Sequence, residues 1–359
     1  MSSKIKKIRV FLVACANCVT PQEINCDAIS RHLDKNKFEV YTLLYIFNVN
    51  NAFKEDQCVN YLRLLRPVRL FLPILVFLGI MKSDVVYSPV GIMSKWTKFC
   101  ISILQKKSFN TVEGLLDETA LLKVKNVPEY IEGYRWYEPN LFAISTAVKT
   151  AVKTFHGLNC ADEILYLGTE MSEFYHIKKE KSVLRNVVFI GRETIRKRID
   201  EFLEMSKEFP KIQFHVVGGN KVKGGDTVEG WVLKNNSKNV IYHGEVGRKE
   251  LTSLLKDMDV MFFPSRSEGF GKVTFECAAS GVVPIVYGDY GAGDWIKTGK
   301  NGYVVDTYDE AVSAIKTMVN DSSLFNRISR SSSELGLSWD WKNIINIWEK
   351  VITRIASNQ

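Results

Sequence analysis

No apolar run in this chain is long enough to cross a bilayer as a helix. The longest, residues 70–81, has twelve residues, where roughly 20 are needed to span about 30 Å of hydrocarbon. Pro73 and Gly79 also interrupt it. The basic segment up to Arg9 is followed by an apolar stretch, residues 10–16, too short for the core of a secretion signal, and it reads as a first strand. Histidine is scarce: His32, His156, His176, His215 and His243 show no zinc-ligand spacing. The seven cysteines are odd in number and scattered, which argues for reduced thiols and a cytoplasmic protein rather than a disulfide framework. Cys15-Ala-Asn-Cys18 is formally a C-x-x-C. Cys15 ends an apolar strand and no second pair follows, so chance spacing is the better reading and no metal site is expected. Low-complexity segments and short-period repeats are absent. So is any basic-aromatic motif, which sets aside a nucleic-acid binder.

What is present is a globular composition. The 359 residues suit two domains of ordinary size, and 46% hydrophobic with 25% charged residues is typical of a globular protein. A formal charge of +8 suits a polyanionic partner such as a nucleoside diphosphate or an anionic membrane, or simply a solvated basic surface.

Strand and helix patterns alternate along the chain. Apolar strand-like runs fall at residues 8–16, 38–44, 85–87, 111–112, 141–145 and 163–167, with helical patterns at 24–33 and 146–156. The alternation restarts after a charged stretch at 170–184. Strands are then expected at 187–190, 214–217, 240–243, 260–264 and 283–287, with helices at 199–207, 249–257, 273–280 and 310–319. Such βαβ alternation implies α/β architecture with parallel sheets covered on both faces. An amphipathic, aromatic-rich helix at 339–355 ends the pattern, placed to brace the first domain. The expected domains are 1–175, 176–335 and a final helical segment, 336–359.

Two segments carry chemistry. In the first, a buried strand ends at Pro264, the loop Ser265-Arg266-Ser267-Glu268-Gly269-Phe270-Gly271 follows, and a helix opens at Lys272. This puts the N–H groups of Gly271, Lys272 and Val273 at a helix N-terminus, where orphan donors and the helix dipole favour a phosphate. Gly269 and Gly271 let the backbone approach a ligand. Glu268 in the loop and Glu276 in the helix can accept hydrogen bonds from sugar and ribose hydroxyls. An ordinary βα turn with a charged cap is the plain alternative. In the second, a strand runs into Gly191, and Arg192 and Lys197 follow; Arg offers a fork for a pyrophosphate and Lys a point charge. Alone, these cations would be a solvated loop.

In order and separation, these segments resemble family 4 of the glycosyltransferases, which has the GT-B fold. The matching pieces are Gly191-Arg192 with Lys197, Val216-Val217-Gly218-Gly219, His243-Gly244-Glu245-Val246, residues 254–265, Glu268 and Glu276 in an E-x7-E spacing, Ala279-Ser280-Gly281-Val282-Val283-Pro284, and Asn301-Gly302-Tyr303-Val304-Val305. Agreement runs from about residue 183 to 320 and is weaker before residue 140, where Ser145 and Gly168-Thr169-Glu170 match. The resemblance implies two Rossmann-like domains with parallel sheets facing across a cleft, and a C-terminal helix crossing back to the first. It implies a retaining transferase using a nucleotide diphosphate sugar, UDP- or GDP-linked, as co-substrate, without a metal or other cofactor. Arg192 and Lys197 would hold the diphosphate, and Glu276 the ribose. Glu268 with the amides of Gly269, Phe270, Gly271, Lys272 and Val273 would hold the sugar and distal phosphate. Gly191, Gly219, Asn220, Gly244 and Val246 would border the donor. The implied reaction is hexose transfer to a glycan or lipid-linked acceptor in bacterial surface polysaccharide synthesis, capsule or O-antigen. Two departures touch the acceptor side: the family's glycine pair after the first strand is replaced by Thr20-Pro21-Gln22-Glu23, and Glu113 stands where many members carry a His. Glu113 could face the transferred sugar or be a loop carboxylate.

Other readings remain open from sequence. A GT-B nucleotide-sugar epimerase would need no acceptor, and a non-catalytic GT-B scaffold would need no turnover; intact Arg192, Lys197, Glu268 and Glu276 speak for a working donor site. Asp257-Met258-Asp259 is a D-x-D, read as a helix-to-strand turn. Residues 61–82 set Arg63, Arg66 and Arg69 beside an apolar run, suited either to a buried helix or to peripheral contact with the anionic inner face of a cell membrane.

Overall fold

A computed structural model describes residues 6–18, 20–47, 53–89, 93–122, 124–175, 180, 183–192 and 194–357. The chain forms two compact units. One comprises Met1–Gly168 with Trp341–Gln359, the other Thr169–Asp340.

The first unit is built from β1 (Ile8–Cys15), α1 (Pro21–His32), β2 (Phe38–Tyr45), β3 (Val59–Leu64), α2 (Val68–Lys82), β4 (Val85–Tyr87), α3 (Ser94–Ile103), β5 (Lys107–Val112), α4 (Glu118–Leu121), α5 (Val127–Arg135), β6 (Leu141–Ala143) and α6 (Thr146–His156). Its six strands run in the order β3-β2-β1-β4-β5-β6, every adjacent pair parallel. The central strands are apolar without alternation because helices cover both faces: Val10 to Cys15 are all buried. Local chemistry marks the helix ends. Ser145 Oγ accepts from Val148 N at 3.2 Å to start α6, and Gly157, at φ 62°, closes it.

The second unit repeats the design with β7 (Asn186–Gly191), α7 (Ile199–Glu208), β8 (Gln213–Gly218), α8 (Val228–Lys234), β9 (Val240–Tyr242), α9 (Arg248–Leu255), β10 (Val260–Phe263), α10 (Lys272–Ala279), β11 (Val283–Tyr287), β12 (Tyr303–Val305), α11 (Tyr308–Asn320) and α12 (Ser322–Ser338). The order is β12-β11-β10-β7-β8-β9, again all parallel. In each unit the chain winds outward from a central pair, β1 with β4 and β7 with β10, so the crevice above the carboxyl ends of that pair is the topological switch point where such sheets bind ligands.

α13 (Trp341–Ser357) belongs to the first unit. Trp348 is fully buried, its ring edge-on to Tyr87 at 5.5 Å, and Glu349 takes the Asp34 N–H at 2.8 Å.

The structure corrects several expectations. The boundaries fall at 168/169 and 340/341, not 175/176 and 335/336. Met171 and Phe174 are buried in the second unit: Met171 N donates to Asp340 Oδ2 at 3.1 Å and Ser280 Oγ to the Phe174 carbonyl at 2.7 Å. Residues 336–340 stay with that unit too, since α12 runs to Ser338 and Trp339 packs on Phe270 and Phe275. Residues 163–167 are not a strand but an isolated bridge, Ala143 with Ile164; Leu165 N donates to the Ala143 carbonyl at 3.0 Å and Trp348 Nε1 donates to the Tyr166 carbonyl at 2.8 Å, so β6 and α13 together hold that backbone. β3 was not expected, because its burial is patchy along an outer strand. Pro73 and Gly79 do not interrupt α2, which runs unbroken through both.

Candidate active site

The loops after β7 and β10 leave adjacent parallel strands at the second unit's switch point. They bring together residues 71 positions apart. Lys197 Nζ lies 3.0 Å from Glu268 Oε1, and Arg196 Nη2 is 3.6 Å from the same oxygen. Ser265 Oγ donates to it at 2.9 Å. The Lys197 ammonium sits 4.5 Å over the Phe263 ring, and Arg196 Nη1 donates to the Ser267 carbonyl. Lys197 and Glu268 side chains are only 15% and 12% exposed, so neither charge points into bulk water.

Glycines make this convergence sterically feasible. A Cβ on Gly191 would come 2.6 Å from Lys197 Cδ, so glycine lets the lysine stem cross the strand end. A Cβ on Gly218 or Gly219 would meet the Gly191 or Arg192 carbonyl oxygen at 2.1 Å. Gly219 N donates to Gly191 O at 3.0 Å and Gly218 N to Gly244 O at 2.8 Å, so Gly191, Gly219 and Gly244 meet at one rim.

Beside this pair stands the N-terminus of α10. Gly271 caps it in the left-handed region, φ 71°, and contributes no side chain to its N–H groups. Lys272 and Val273, the first helical residues, are half-buried. Phe270 is buried with Phe275, Trp295 and Trp339, ring centroids 5.0 to 5.3 Å from its own, so its ring anchors the loop rather than facing a ligand. Asn220 is likewise committed: its Oδ1 accepts from Val228 N at 2.9 Å at the start of α8.

Glu276 sits in a second cluster. Its side chain is 15% exposed, with Arg248 Nη1 3.8 Å away. Arg248 Nε also donates to Glu173, and the guanidinium lies 4.7 Å over the Phe174 ring. Burial pushes the Glu276 carboxyl above its ordinary pKa; Arg248 and Lys272 pull it back, and Glu173 adds to the rise. Arg192 is exposed at the mouth of the β7 loop, and Val246 is half-buried after β9. Glu193 and His176 lie outside the described residues.

Sequence reading missed Arg196 and Arg248. Both are cations in charged, turn-rich stretches with no motif to single them out, and only the fold shows which carboxylate each meets. In the first unit, Glu113 follows β5 and is held by Asn25 Nδ2 at 3.3 Å and Thr111 Oγ1 at 3.5 Å. The D-x-D is structural: Asp259 is fully buried and its Oδ2 accepts from Arg185 N at 2.8 Å and Asn186 N at 2.9 Å. His215 Nδ1 and His243 Nε2 are 2.9 Å apart with rings nearly parallel, a core pair rather than ligands.

Residues 172–334 match the family described as Glycosyl transferases group 1. The chain is 31% identical over 144 residues to an uncharacterised 41.2 kDa protein of the cps region of Klebsiella pneumoniae, covering 40% of this chain and 37% of that one. It is 27% identical over 166 residues to the capsular polysaccharide biosynthesis glycosyltransferase CapM of Staphylococcus aureus, covering 44% and 42%. The chain spans about a third to a half of the length of the curated relatives it matches. Among solved structures it shares its fold with sucrose-phosphate synthase from Thermosynechococcus elongatus, TM-score 0.73, 15% identical, covering 97% of this chain and 99% of that one. It shares it equally with Anabaena HepE in complex with UDP, TM-score 0.75, 15% identical, covering 97% and 100%. The architecture is therefore GT-B in type, with a six-stranded parallel Rossmann-like sheet in each unit.

Proposed function

We propose that this chain, whose residues 172–334 form a group 1 glycosyltransferase segment, moves a hexose from a nucleoside diphosphate sugar to a glycan or lipid-linked acceptor with retention of anomeric configuration. The carrying observation is the Lys197–Glu268 pair, 3.0 Å apart at the switch point beside the N-terminus of α10, which Gly271 caps without a side chain. When the bond from the anomeric carbon to the distal phosphate oxygen breaks, negative charge grows on the departing diphosphate. Lys197, Arg192 and the first amides of α10 meet that charge with groups already in place, which lowers the barrier without reorganisation. Glu268 accepts hydrogen bonds from the sugar, and Glu276, as carboxylate, from the ribose. Gly191, Gly219, Gly244 and Val246 border the base. Of the two donors expected, UDP-linked sugars have the more support, since the structures of HepE hold UDP, UDP with glucose, or UDP-glucose. The capsule-related relatives support a role in surface polysaccharide synthesis. The residues supply two cations and helix amides for the diphosphate, so the reading needs no metal at this site.

The test is a thermal-shift screen of the whole chain against nucleoside diphosphates and their sugars. A true donor stabilises the fold by mass action, about 2.7 kcal/mol at a hundred times its Kd. Failure of every nucleoside diphosphate to raise the transition overturns the reading.

The second part of the proposal is peripheral contact with an anionic bilayer through α2 and α3. No helix among the described residues is long and apolar enough to cross a membrane. α2 is nonetheless two-faced: Val76 and Ile80 are buried on the sheet, while Leu70 is 66% exposed and Ile74 54%. α3, joined to α2 by Trp96 Nε1 donating to the Pro73 carbonyl at 3.0 Å, exposes Phe99 and Ile103. From residue 57 to 112 there is one acidic residue, Asp84, against eight Lys or Arg. Arg63 is paired with Glu55 at 2.7 Å and Arg66 lies 4.5 Å over the Phe47 ring, while Arg69 and Lys82, in the first and last turns of α2, are exposed. Exposed apolar side chains on a segment so rich in basic residues suit a bilayer of anionic lipid.

A further inference from the structure

The loop leaving β1 stands at the first unit's own switch point, between β1 and β4. Three potential ligands meet there. Cys15 ends β1 and is buried, Cys18 follows half-buried, and Glu23 lies in the first turn of α1. One ligand atom from each, two Sγ and a carboxylate oxygen, all lie within 4.8 Å of one another.

The surroundings hold this arrangement from the protein side. Cys18 N donates to the Cys15 carbonyl at 3.1 Å, closing the turn. Asn17, between the cysteines and 5% exposed, exchanges two hydrogen bonds with Tyr45: its Nδ2 donates to Tyr45 O at 2.8 Å and its Oδ1 accepts from Tyr45 N at 3.1 Å. Thr20 Oγ1 donates to Glu23 Oε2 at 2.7 Å. The turn is thereby fixed, and the Thr20 contact orients the Glu23 carboxylate as outer contacts orient the ligands of metal sites.

We propose that Cys15, Cys18 and Glu23 bind a zinc ion or a similarly thiophilic divalent cation. Two thiolates with one carboxylate suit zinc and exclude the all-oxygen preference of magnesium or calcium. Three protein ligands leave a fourth tetrahedral position for water. When the cation binds, each S–H bond breaks as a metal–sulfur bond forms, and the two protons pass to solvent. The C-x-x-C lacked a further ligand when read as sequence; α1 supplies it from eight residues beyond Cys15. The site lies wholly in the first unit, so it stands independently of the donor-site reading.

The experiment uses the full chain, reduced and stripped of metal under anaerobic conditions. Cobalt(II) is titrated while the thiolate-to-cobalt charge-transfer band is followed, and zinc is then added in competition. The expected result is one equivalent of cobalt, a charge-transfer band, and its displacement by zinc. Cys18→Ser should abolish the band, and Glu23→Gln should weaken binding by at least the roughly 10–100-fold that loss of a mere supporting contact costs. Cys58→Ser, at an exposed cysteine, should change nothing. Cys15 is buried, so its variant is not relied upon; circular dichroism confirms that the other two fold, and Glu23→Gln decides the matter if Cys18→Ser does not. A missing band at one equivalent, the same band in Cys18→Ser, or unaltered affinity in Glu23→Gln overturns the proposal.

Discussion

Replacing Lys197 by methionine deletes one positive charge and keeps an unbranched stem against the Phe263 ring. Two effects of different size follow. For stability, an exposed ion pair is worth under about 1 kcal/mol, whereas breaking a fully buried one costs about 3–5 kcal/mol. This pair lies between, at 15% and 12% exposure, and Glu268 keeps Ser265 Oγ at 2.9 Å and Arg196 Nη2 at 3.6 Å. The loss is therefore about 1–2 kcal/mol, a fall in Tm of roughly 2–8 °C. For catalysis, removing one pre-organised group that faces developing charge costs about 10²- to 10³-fold in kcat, or about 2.7–4 kcal/mol. The two are separated by measuring kcat and KM from release of nucleoside diphosphate, with thermal unfolding on the same preparation. Lys197→Arg, which keeps the charge, should recover part of the rate. Near-normal turnover in the methionine variant would remove Lys197 from the diphosphate. A rate that falls only as far as the folded fraction falls would reduce the pair to a structural contact.

Further outcomes can be checked. Arg248→Ala should raise the Glu276 carboxyl further, because the guanidinium 3.8 Å away favours its charged form; nucleoside diphosphate affinity, followed by calorimetry from pH 8 to 5, should then break at a higher pH than in the wild type. Burial, aided by the neighbouring His243, pushes His215 down to about 4. Since the unfolded state takes up a proton near pH 6.5, the stability of this neutral pair is full above that pH and is lost as pH falls towards 4, by at most ~3 kcal/mol. Urea midpoints for the wild type and His215→Phe should converge over that window, and parallel curves would contradict the assignment. Phe270→Ala should destabilise the second unit by about 3–5 kcal/mol, since the ring is 4% exposed among three aromatic neighbours; a smaller loss in chemical denaturation would mean that the loop is anchored elsewhere. Leu70→Glu with Phe99→Glu should abolish co-sedimentation with anionic vesicles and spare donor binding, and neutral vesicles should not bind either form.

Much of this was legible in the residues. The β10 loop and α10 announce themselves through an apolar run, a glycine-bearing loop and a helix start, all signals that act over a few residues. The same holds for Gly191 at the end of β7 and for most strands of both sheets, because a strand covered on both faces must be apolar throughout, whatever its partner. β3 lacks that signal, and the bridge at Ile164 imitates it, since apolar residues can also be buried in a loop held by a strand end on one side and a tryptophan on the other.

Partnership is another matter. Nothing near Arg196 or Arg248 distinguishes it from other surface cations; each meets its carboxylate only because β7 lies beside β10 and because α9 and the segment around Glu173 pack in one unit. Equally, Cys15, Cys18 and Glu23 are merely close in sequence until the turn after β1 and the first turn of α1 aim them at one point. The sequence by itself determined the elements, their alternation and the residue chemistry of the loops after β7 and β10, since propensity, periodicity and caps are local. Only the tertiary structure decided which charges are shared, which face of α2 is left open and where one unit gives way to the other, because those depend on strand order and burial, and burial is a property of the whole fold.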